Sequence, residues 1–457
     1  MSEVAAAAAD PALKDRVKRD DRAHVFHTWS AQAEIDPLPV AGAQGSYFFD
    51  YDGKRYLDFS SQLVYSNLGH GHPRLVNAIK AQADKLPVIA PAFANEVRSE
   101  AARAITEVAG GHFAKVFFTN GGADANEHAI RMARLHTGRV KVMSFYRSYH
   151  GATSGAIALT GDPRRWANEA TAMSHVAHFW GPYPYRSPFY SNSPEQETER
   201  ALQHLRNVLM VEGPETVAAI IMETVVGTNG ILVPPPGYLA GVRQICDEYG
   251  IVMIADEVMA GFGRCGHWFG VQHWGVQPDL ITFAKGVTSG YVPLGGVIIS
   301  DAIASTFDHR AYPGGLTYSG HLLACAVAIE SIKTLREENV LEHVRQLGQD
   351  VIAPGLQALA NKHPSVGEVR GLGVFWAIEL VKDRNTREPL VPFNAKGEAA
   401  RPMNEFKQVC MDNGLSPFVH FNRTHVSPPC TTTADEIKQG LEILDKALSA
   451  ADKYCVG

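Results

Sequence analysis

Strand-like and helical patterns alternate between residues 97 and 300, and this alternation constrains the fold more than any other feature of the chain. Several of the strand-like runs are apolar at every position, as expected for strands that helices cover on both faces. Strands joined by helices usually pair in parallel, so the pattern predicts an α/β domain with a mostly parallel central sheet. The predicted strands are 115–119, 141–145, 217–222, 251–255, 280–284 and 296–300.

The two ends of the chain carry different patterns. After a leader that starts as a helix, residues 46–59 alternate around an Asp-Gly pair, which predicts a β-hairpin. Near the other end, strand-like pieces at 369–380 and 425–427 precede a final amphipathic helix from about Ala434. We therefore expect a small α+β domain from both chain termini beside the large one. The expected boundaries are 1–65 for the N-terminal segment of the small domain, 66–330 for the large domain and 331–457 for the C-terminal part, with 181–198 as a loop on the surface or at a subunit contact.

The composition excludes several classes of protein. With 45% hydrophobic residues over 457 positions, the chain can bury a large core. The net charge is −6 and the basic residues are spread out, which argues against nucleic acid or a membrane surface as the main partner. No apolar run is long enough to span a bilayer, and the alanine run at 5–9 lacks the features of a signal peptide. The six cysteines and nineteen histidines show no zinc-type spacing, so we expect a cytoplasmic protein without a metal site.

Two ionisable residues end predicted strands, where α/β proteins bind their ligands. Lys285 follows the 280–284 run and precedes a glycine, and Asp256 follows the 251–255 run. Burial lowers the pKa of a lysine toward the neutral, nucleophilic amine. An amine and a carboxylate at the ends of successive buried strands suggest a site for a charged cofactor that carries a carbonyl group. The alternative is that Lys285 is a surface lysine and Asp256 a helix cap.

A turn of small residues follows another predicted strand. Gly121, Gly122 and Ala123 come after the 115–119 run and open a helix, so their backbone N–H groups can bind phosphate. The turn matches neither GxGxxG nor GxxxxGK[ST], which leaves a dinucleotide or P-loop site unsupported. Without a ligand, the same residues form a tight strand–helix turn. Tyr149 can either stack on a flat ring or pack in the core.

Together these segments resemble the class III, or ω-amino acid, aminotransferases of pyridoxal phosphate fold type I. The resemblance covers most of the chain, and six motifs occur in the family's order. They are N-G-G-A-D-A-N-E at 120–127, Y-H-G at 149–151, D-E-V at 256–258, F-G-R at 262–264, K-G at 285–286 and T-Y-S-G-H at 317–321. The implied fold is an α/β large domain with a smaller α+β domain, and the implied cofactor is pyridoxal 5′-phosphate.

The resemblance assigns the catalytic residues. It implies that Lys285 is the Schiff-base lysine and moves a proton between the substrate carbon and the cofactor. Asp256 is implied to pair with the pyridine nitrogen and keep it protonated. Tyr149 is implied to stack on one face of the ring and Val258 on the other.

The resemblance also implies the cofactor's phosphate contacts. They come from Gly121, Gly122 and Ala123, although family members carry serine at the first and third of these positions. Glu223 matches an acidic residue that lies near the cofactor. Thr317 is implied to reach the phosphate in the neighbouring subunit, which predicts a homodimer or homotetramer with a shared site.

The substrate pocket is predicted from the family's pocket-lining segments, although core packing is the alternative for each residue. A keto acid needs a cation, but Phe418 stands where many amine:pyruvate members carry arginine. Arg423 is therefore the candidate, with Arg147 as an alternative, and Arg264 is expected to be structural. The predicted pocket residues are Trp29, Leu63, Val64, Tyr65, Phe418 and Arg423.

The sequence predicts an aminotransferase that moves the amino group of a primary amine or ω-amino acid to pyruvate or 2-oxoglutarate by a ping-pong mechanism. A decarboxylase or aminomutase of the same fold is the alternative within the family. A non-catalytic binding protein is a further alternative, which the presence of Lys285, Asp256 and Thr317 disfavours. A nicotinamide dehydrogenase is disfavoured because no GxGxxG follows a strand.

Overall fold

A computed structural model describes residues 11–456 as three β-sheets with helices packed around them. The alanine run at 5–9 lies outside the described residues. The strands are β1 (Val40–Gln44), β2 (Tyr47–Asp50), β3 (Arg55–Asp58), β4 (Phe113–Thr119), β5 (Lys141–Phe145), β6 (Val176–Phe179), β7 (Val217–Glu223), β8 (Val252–Asp256), β9 (Leu280–Phe283), β10 (Gly295–Ser300), β11 (Val366–Leu372), β12 (Phe375–Asp383), β13 (Glu388–Pro389), β14 (Leu415–Ser416), β15 (Phe418–His420) and β16 (Arg423–Val426).

The α-helices are α1 (Pro11–His24), the single turn α2 (Ser61–Val64), α3 (Pro73–Lys85), α4 (Glu96–Ala109), α5 (Gly122–Thr137), α6 (Ser154–Leu159), α7 (Pro194–Glu212), α8 (Tyr238–Tyr249), α9 (Asp301–Ser305), α10 (Leu322–Glu337), α11 (Val340–Leu347), α12 (Ala353–Lys362), α13 (Arg401–Asp412) and α14 (Ala434–Ala451). Within the described part of the chain, no helix combines the length and the apolar character that crossing a membrane requires.

Seven strands form the central sheet in the order β4-β10-β9-β8-β7-β5-β6. From β9 to β6 all neighbours are parallel, whereas β10 is antiparallel to both β4 and β9. The mostly parallel sheet is therefore confirmed, and each predicted strand begins and ends within two residues of its predicted bounds. Strand β6 was not predicted, because four residues that include a histidine give too short a pattern.

The two faces of this sheet pack against separate apolar cores. Successive side chains of a strand point to opposite faces. Along β7, Ile220 and Met222 accordingly join one core, and Ala219 and Ile221 join the other. Strands β7 to β10 are buried at every residue, which explains their continuous apolar sequences.

The strand register brings three polar residues together at the carboxyl edge of the sheet. Glu223 ends β7 and lies opposite Asp256, which ends β8, and Asp256 lies opposite Thr282 in β9. Lys285 follows two residues after β9. These groups are far apart in sequence, and the parallel pairing alone makes them neighbours.

Two smaller sheets contain segments from the ends of the chain. Strands β2 and β3 form the predicted hairpin, and β3 pairs in parallel with β14, so N- and C-terminal segments share a sheet. The other sheet has the order β11-β12-β16-β15, with β13 on β12. The domain boundaries given above remain predictions.

Arg264 is fully buried and forms hydrogen bonds with segments that are distant from it in sequence. Its guanidinium donates hydrogen bonds to Asn67 Oδ1 at 2.8 Å, to Ser61 Oγ at 3.0 Å and to the backbone carbonyl of Pro428. Two of these partners lie in the N-terminal part of the chain and one in the C-terminal part, whereas Arg264 itself lies in the central part. The structure therefore agrees with a structural role for Arg264.

A buried carboxylate anchors the segment at 181–198. Glu379 in β12 is 1% exposed, and it accepts hydrogen bonds from Tyr183 and Arg186 of this segment. Arg370 Nη1 forms an ion pair with the same carboxylate at 2.8 Å. The segment is thus fixed to β12, and its last residues already belong to α7.

The environment of Glu379 predicts acid sensitivity. Burial alone raises the pKa of this carboxyl group, but Arg370, Arg186 and Arg423 reverse the effect and lower the pKa to about 2. Because the pKa is lower in the folded chain than in the unfolded chain, the ionised carboxylate stabilises the fold at pH values above 4.5. This stabilisation is lost as the pH falls toward 2. The loss is on the order of 3 kcal/mol.

We therefore expect Glu379→Gln to flatten the fall in thermal stability between pH 4.5 and pH 2, and to lower stability at neutral pH because arginines lose their carboxylate. Thermal melts across this pH range measure both effects. Glu398→Gln, which removes an exposed carboxylate, is the matched control and should change neither. Identical pH slopes in wild type and Glu379→Gln would contradict the assignment.

Candidate active site

The Asp256 carboxylate has a fixed orientation. Its Oδ2 lies 2.7 Å from His150 Nδ1 and accepts a hydrogen bond from Asn126 Nδ2 at 2.9 Å. Its Oδ1 accepts a hydrogen bond from the Val258 backbone N–H at 3.0 Å. The Thr282 hydroxyl donates to Asn126 Oδ1 at 2.7 Å and thereby sets which atom of the amide faces Asp256. Since Asp256 is also buried, its charge is held in one place at the end of β8.

Lys285 lies just after β9 with a φ of +50°, a left-handed conformation that is uncommon for lysine. Within residues 11–456, no group forms a hydrogen bond or ion pair with its amine. Burial lowers the pKa of Lys285, Asp256 and Glu223 oppose this shift, and Arg164 adds to it. The amine is therefore shifted toward its neutral and nucleophilic form.

The small-residue turn begins a long helix directly beside this pair. Helix α5 starts at Gly122, and its first N–H groups face away from the helix body, which suits an anion. A Cβ atom on Gly122 would lie 2.8 Å from Val258 Cγ1. Glycine at 122 therefore lets the start of α5 approach the loop after Asp256.

Glu223 is held in place by two backbone hydrogen bonds. Its Oε1 accepts a hydrogen bond from the Tyr149 backbone N–H and its Oε2 from the Gly227 backbone N–H, both at 2.8 Å. Burial raises the pKa of Glu223 to about 7, and the nearby Asp256 charge contributes to the rise. The carboxyl group thus holds the backbone of Tyr149 in place.

Asp256, Lys285, Glu223 and the small-residue turn line one cavity of about 580 Å³ at the carboxyl edge of the sheet. Its inner wall contains every cofactor-binding residue predicted above except Thr317. These residues are Gly121, Gly122, Ala123, Tyr149, Glu223, Asp256, Val258 and Lys285. The structure therefore brings together eight of the nine predicted cofactor contacts.

A second cavity of about 350 Å³ adjoins the first and shares Trp29, Tyr149, Met259 and Lys285 with it. Its wall also contains Arg164, and it is otherwise formed mainly by apolar and aromatic side chains. We call this second cavity the outer pocket.

Arg164 enters the outer pocket in a rigid position. Its Nε donates to both oxygens of Asp162, at 3.1 Å and 2.9 Å, and its Nη2 also bonds to this carboxylate. Asn229 Nδ2 donates to Asp162 at 3.0 Å and holds that carboxylate from the other side. The guanidinium lies 3.7 Å from the centre of the Tyr149 ring. Its Nη1 has no hydrogen-bond partner in the described part of the chain.

Most predicted pocket residues lie where they were expected. Trp29, Leu63 and Phe418 line the outer pocket, and Tyr65 lines the first cavity. Val64 was wrong as a pocket residue. It is 1% exposed and packs in a small apolar core with Val225, Ile231 and Met259, because the backbone of α2 turns its side chain inward.

Arg423 was also wrong as a pocket residue. It begins β16, is 2% exposed and lies opposite Glu379 of β12 in the strand register. Opposite charges at directly facing positions stabilise a sheet, so Arg423 is a structural cation beside Glu379. The alternative, Arg147, lines a separate cavity beyond Glu223.

Thr317 is exposed and lies outside both cavities. Its implied role, binding the phosphate of another subunit, therefore remains a prediction.

Sequence reasoning missed three residues of the site. His150 and Asn126, which fix Asp256, both lie within the quoted motifs and could have been named from them. Arg164 had no such signal, because it is one of two adjacent arginines in the stretch G-D-P-R-R. Only the structure separates Arg164, which faces the cavity, from Arg165, which forms an ion pair with Glu169.

The residues present fit pyridoxal 5′-phosphate. An amine without a partner, a buried and fixed carboxylate and a helix N-terminus with available N–H groups line a single cavity. They match, in order, an aldehyde, a pyridine nitrogen and a phosphate group.

Comparisons with known proteins point to the same group of enzymes. A model of the class III aminotransferases matches residues 29–448. A putrescine–pyruvate aminotransferase from Pseudomonas aeruginosa is 35% identical over 94% of this chain and 95% of its own. A mitochondrial γ-aminobutyrate transaminase from Oryza sativa subsp. japonica is 32% identical over 92% of this chain and 83% of its own.

A solved structure shows the likeness in three dimensions. A taurine:2-oxoglutarate aminotransferase from Bifidobacterium kashiwanohense, in complex with PLP and glutamate, superposes with a TM-score of 0.93 at 44% identity, over 96% of this chain and 98% of that one. The predicted fold class and cofactor are thereby confirmed. The chain belongs to the class III aminotransferases, pyridoxal-phosphate-dependent enzymes of fold type I.

Proposed function

We propose that this enzyme transfers the amino group of an ω-amino acid with a distal acidic group, of the taurine or β-alanine type, to a keto acid such as 2-oxoglutarate or pyruvate. The observation that carries the proposal is Arg164, a fixed guanidinium in the same cavity as the Lys285 amine. A substrate that places its amino group at Lys285 can present its other end to this cation.

Arg164 is suited to bind an anionic group. Asp162 occupies Nε and Nη2, and Nη1 remains available to a carboxylate or sulfonate oxygen. Hydrogen bonds between arginine and an anion are about twice as strong as neutral ones. The apolar and aromatic walls around Arg164 suit the short carbon chain between the two ends of such a substrate.

The rest of the site supports amino-group transfer. When bound, pyridoxal phosphate supplies an electron sink for the substrate carbon that carries nitrogen. Asp256, fixed by His150 and Asn126, holds a proton at the pyridine nitrogen. The Lys285 amine would take the proton from the substrate carbon and pass it to the cofactor.

The comparisons favour this function over the alternatives. The relatives described above are named as aminotransferases of putrescine, γ-aminobutyrate and taurine. The solved structure at 44% identity is a taurine:2-oxoglutarate aminotransferase, which supports an amino donor that also carries an acidic group. A decarboxylase or an aminomutase is not favoured, because neither name occurs among these relatives.

Removal of the Lys285 amine tests its proposed role in catalysis. We expect Lys285→Ala to keep the fold and to bind pyridoxal phosphate without a covalent bond, because the phosphate and ring contacts remain. Amino transfer should fall below about one thousandth of the wild-type rate, since the proton carrier is lost. Absorbance spectra before and after dialysis, with turnover measured on taurine and 2-oxoglutarate, check both effects. Turnover at the wild-type rate would refute the proposed role.

Replacement of Arg164 tests its proposed contact with the acidic end of the substrate. Arg164→Met should lower kcat/KM for taurine and β-alanine roughly ten- to a hundredfold, because one charge-assisted interaction is lost. It should change kcat/KM for an uncharged amine of similar length less than about threefold. The half-reaction without keto acid, followed by the absorbance of the cofactor, isolates the donor from the acceptor.

Arg165→Met is the matched control, because it removes an arginine at the adjacent position that does not line the cavity. Arg165→Met should leave kcat/KM unchanged for both the acidic and the uncharged amines. Equal losses for charged and uncharged amines in Arg164→Met would show that the residue positions Tyr149 and does not bind the acidic end.

We further propose that two copies of the chain form a dimer that shares the site. The large side chain of Tyr318, next to Thr317, is 64% exposed, and the apolar side chains of Val88 and Phe93 are also exposed. A contact with a second copy would bury such residues. Thr317 is exposed and outside the cavity of its own chain, which fits a role in the partner's phosphate site.

Mixed dimers test this arrangement. A dimer of one Lys285→Ala chain and one Thr317→Val chain, purified with two different tags, contains one intact site if Thr317 acts in the partner. We then expect about half of the wild-type turnover, and tighter cofactor binding than in the Thr317→Val dimer. Turnover equal to that of the Thr317→Val chain alone would place Thr317 in its own subunit's site.

A further inference from the structure

A third cavity, of about 110 Å³, lies on the other side of Glu223 from Lys285. The end of β5, the segment around Tyr183 and the start of α8 enclose it. Its walls are mainly aromatic rings and prolines, with two arginines. The wall includes Arg147, Tyr183, Arg186, Glu223 and Tyr238.

Three donors on this wall have no acceptor in the described part of the chain. The Arg147 guanidinium contacts the Tyr183 ring, 5.2 Å from its centre, but forms no hydrogen bond or ion pair. Arg186 bonds to Glu379 and leaves its buried Nη2 without a partner. The Tyr238 hydroxyl is also unpartnered, although the residue is fully buried. A buried donor without an acceptor costs free energy, and both Arg186 Nη2 and the Tyr238 hydroxyl are buried. Together with the partly exposed Arg147 guanidinium, they indicate an absent acceptor.

The nearby carboxylates do not supply this acceptor. Glu379 is engaged by Tyr183, Arg186 and Arg370. Glu197 accepts hydrogen bonds from the Tyr183 backbone N–H and from a serine hydroxyl. Glu223 accepts two backbone N–H groups, as described above. Each carboxylate is therefore satisfied without the three free donors.

We propose that this cavity is a binding site for a short aliphatic carboxylate, separate from the catalytic pocket. The carboxylate would accept hydrogen bonds from Arg147, Arg186 and Tyr238, and the aromatic and proline walls would cover its carbon chain. A volume of about 110 Å³ is less than the roughly 150 Å³ of a cavity that holds benzene, so it suits a branched chain of about four carbons.

Glu223 separates this site from the catalytic pocket. It lines both cavities and is held by hydrogen bonds from the Tyr149 and Gly227 backbones, whereas Lys285 lines only the catalytic pocket. A ligand of the new site therefore has no direct contact with the amine of Lys285, and it can bind together with a keto acid.

Titration of the cofactor-loaded enzyme with isobutyrate tests the proposal. Saturation-transfer NMR on the isobutyrate methyl groups gives the Kd, and we expect the Kd to be unchanged by saturating 2-oxoglutarate. Isobutyramide, which has the same shape without the charge, should bind at least about tenfold more weakly. Absence of saturable isobutyrate binding, or displacement by 2-oxoglutarate, would overturn the proposal.

Two variants locate the site. Tyr238→Phe keeps the ring and removes the hydroxyl, and it should raise the Kd of isobutyrate roughly three- to tenfold. Arg147→Met should raise the Kd roughly ten- to a hundredfold. Tyr238→Phe should leave amino transfer at the wild-type rate, which shows that the protein is folded. An unchanged Kd in both variants would place the ligand elsewhere and refute the assignment.

Discussion

The site depends on one buried charge, the carboxylate of Asp256. A carboxylate inside a protein is costly unless hydrogen bonds satisfy it, and here His150, Asn126 and the Val258 N–H do so. These partners come from α5, from the loop after β5 and from the loop after β8 itself. The parallel sheet has to place all of these ends at one edge before the charge can be buried.

Some residues around the same edge have strained backbones. Lys285, Trp29 and Arg147 all have positive φ angles, as has Val64 in α2. A positive φ costs a non-glycine residue about 1–3 kcal/mol, and it persists only where the surrounding structure fixes it. The surroundings of the cavity are therefore rigid enough to hold Lys285 in an orientation that an isolated chain would avoid.

Two arginines, Arg164 and Arg147, place positive charge in two different cavities. Arg164 is oriented by Asp162 and faces the outer pocket, where it adds to the effect of burial in lowering the pKa of Lys285. Arg147 faces the opposite side, away from any carboxylate partner among residues 11–456. Because Glu223 lies between them with both oxygens engaged by backbone amides, the two cations serve different cavities.

The sequence predicted a position correctly where a continuous apolar run ends at a residue of distinctive chemistry. The strands that precede Asp256 and Lys285 are apolar at every position because both faces of the sheet are covered, so their ends could be located within two residues. Side chains whose position depends on neighbours distant in sequence could not be placed in this way. Val64 and Arg423 were assigned to the pocket because nothing in their local sequence shows that one packs in a core and the other faces Glu379.

By itself, the sequence determined the alternation of strands and helices, the motif order and the identity of the lysine, the acid and the glycine turn. Only the tertiary structure decided which arginine faces the amine, because Arg164 and Arg165 are chemically equivalent in sequence. Their side chains diverge because a buried Asp162 holds the first and Glu169 pairs with the second. Both partners are close in sequence, but the direction in which each arginine points relative to the cavity depends on how the folded backbone places this segment against the rest of the site.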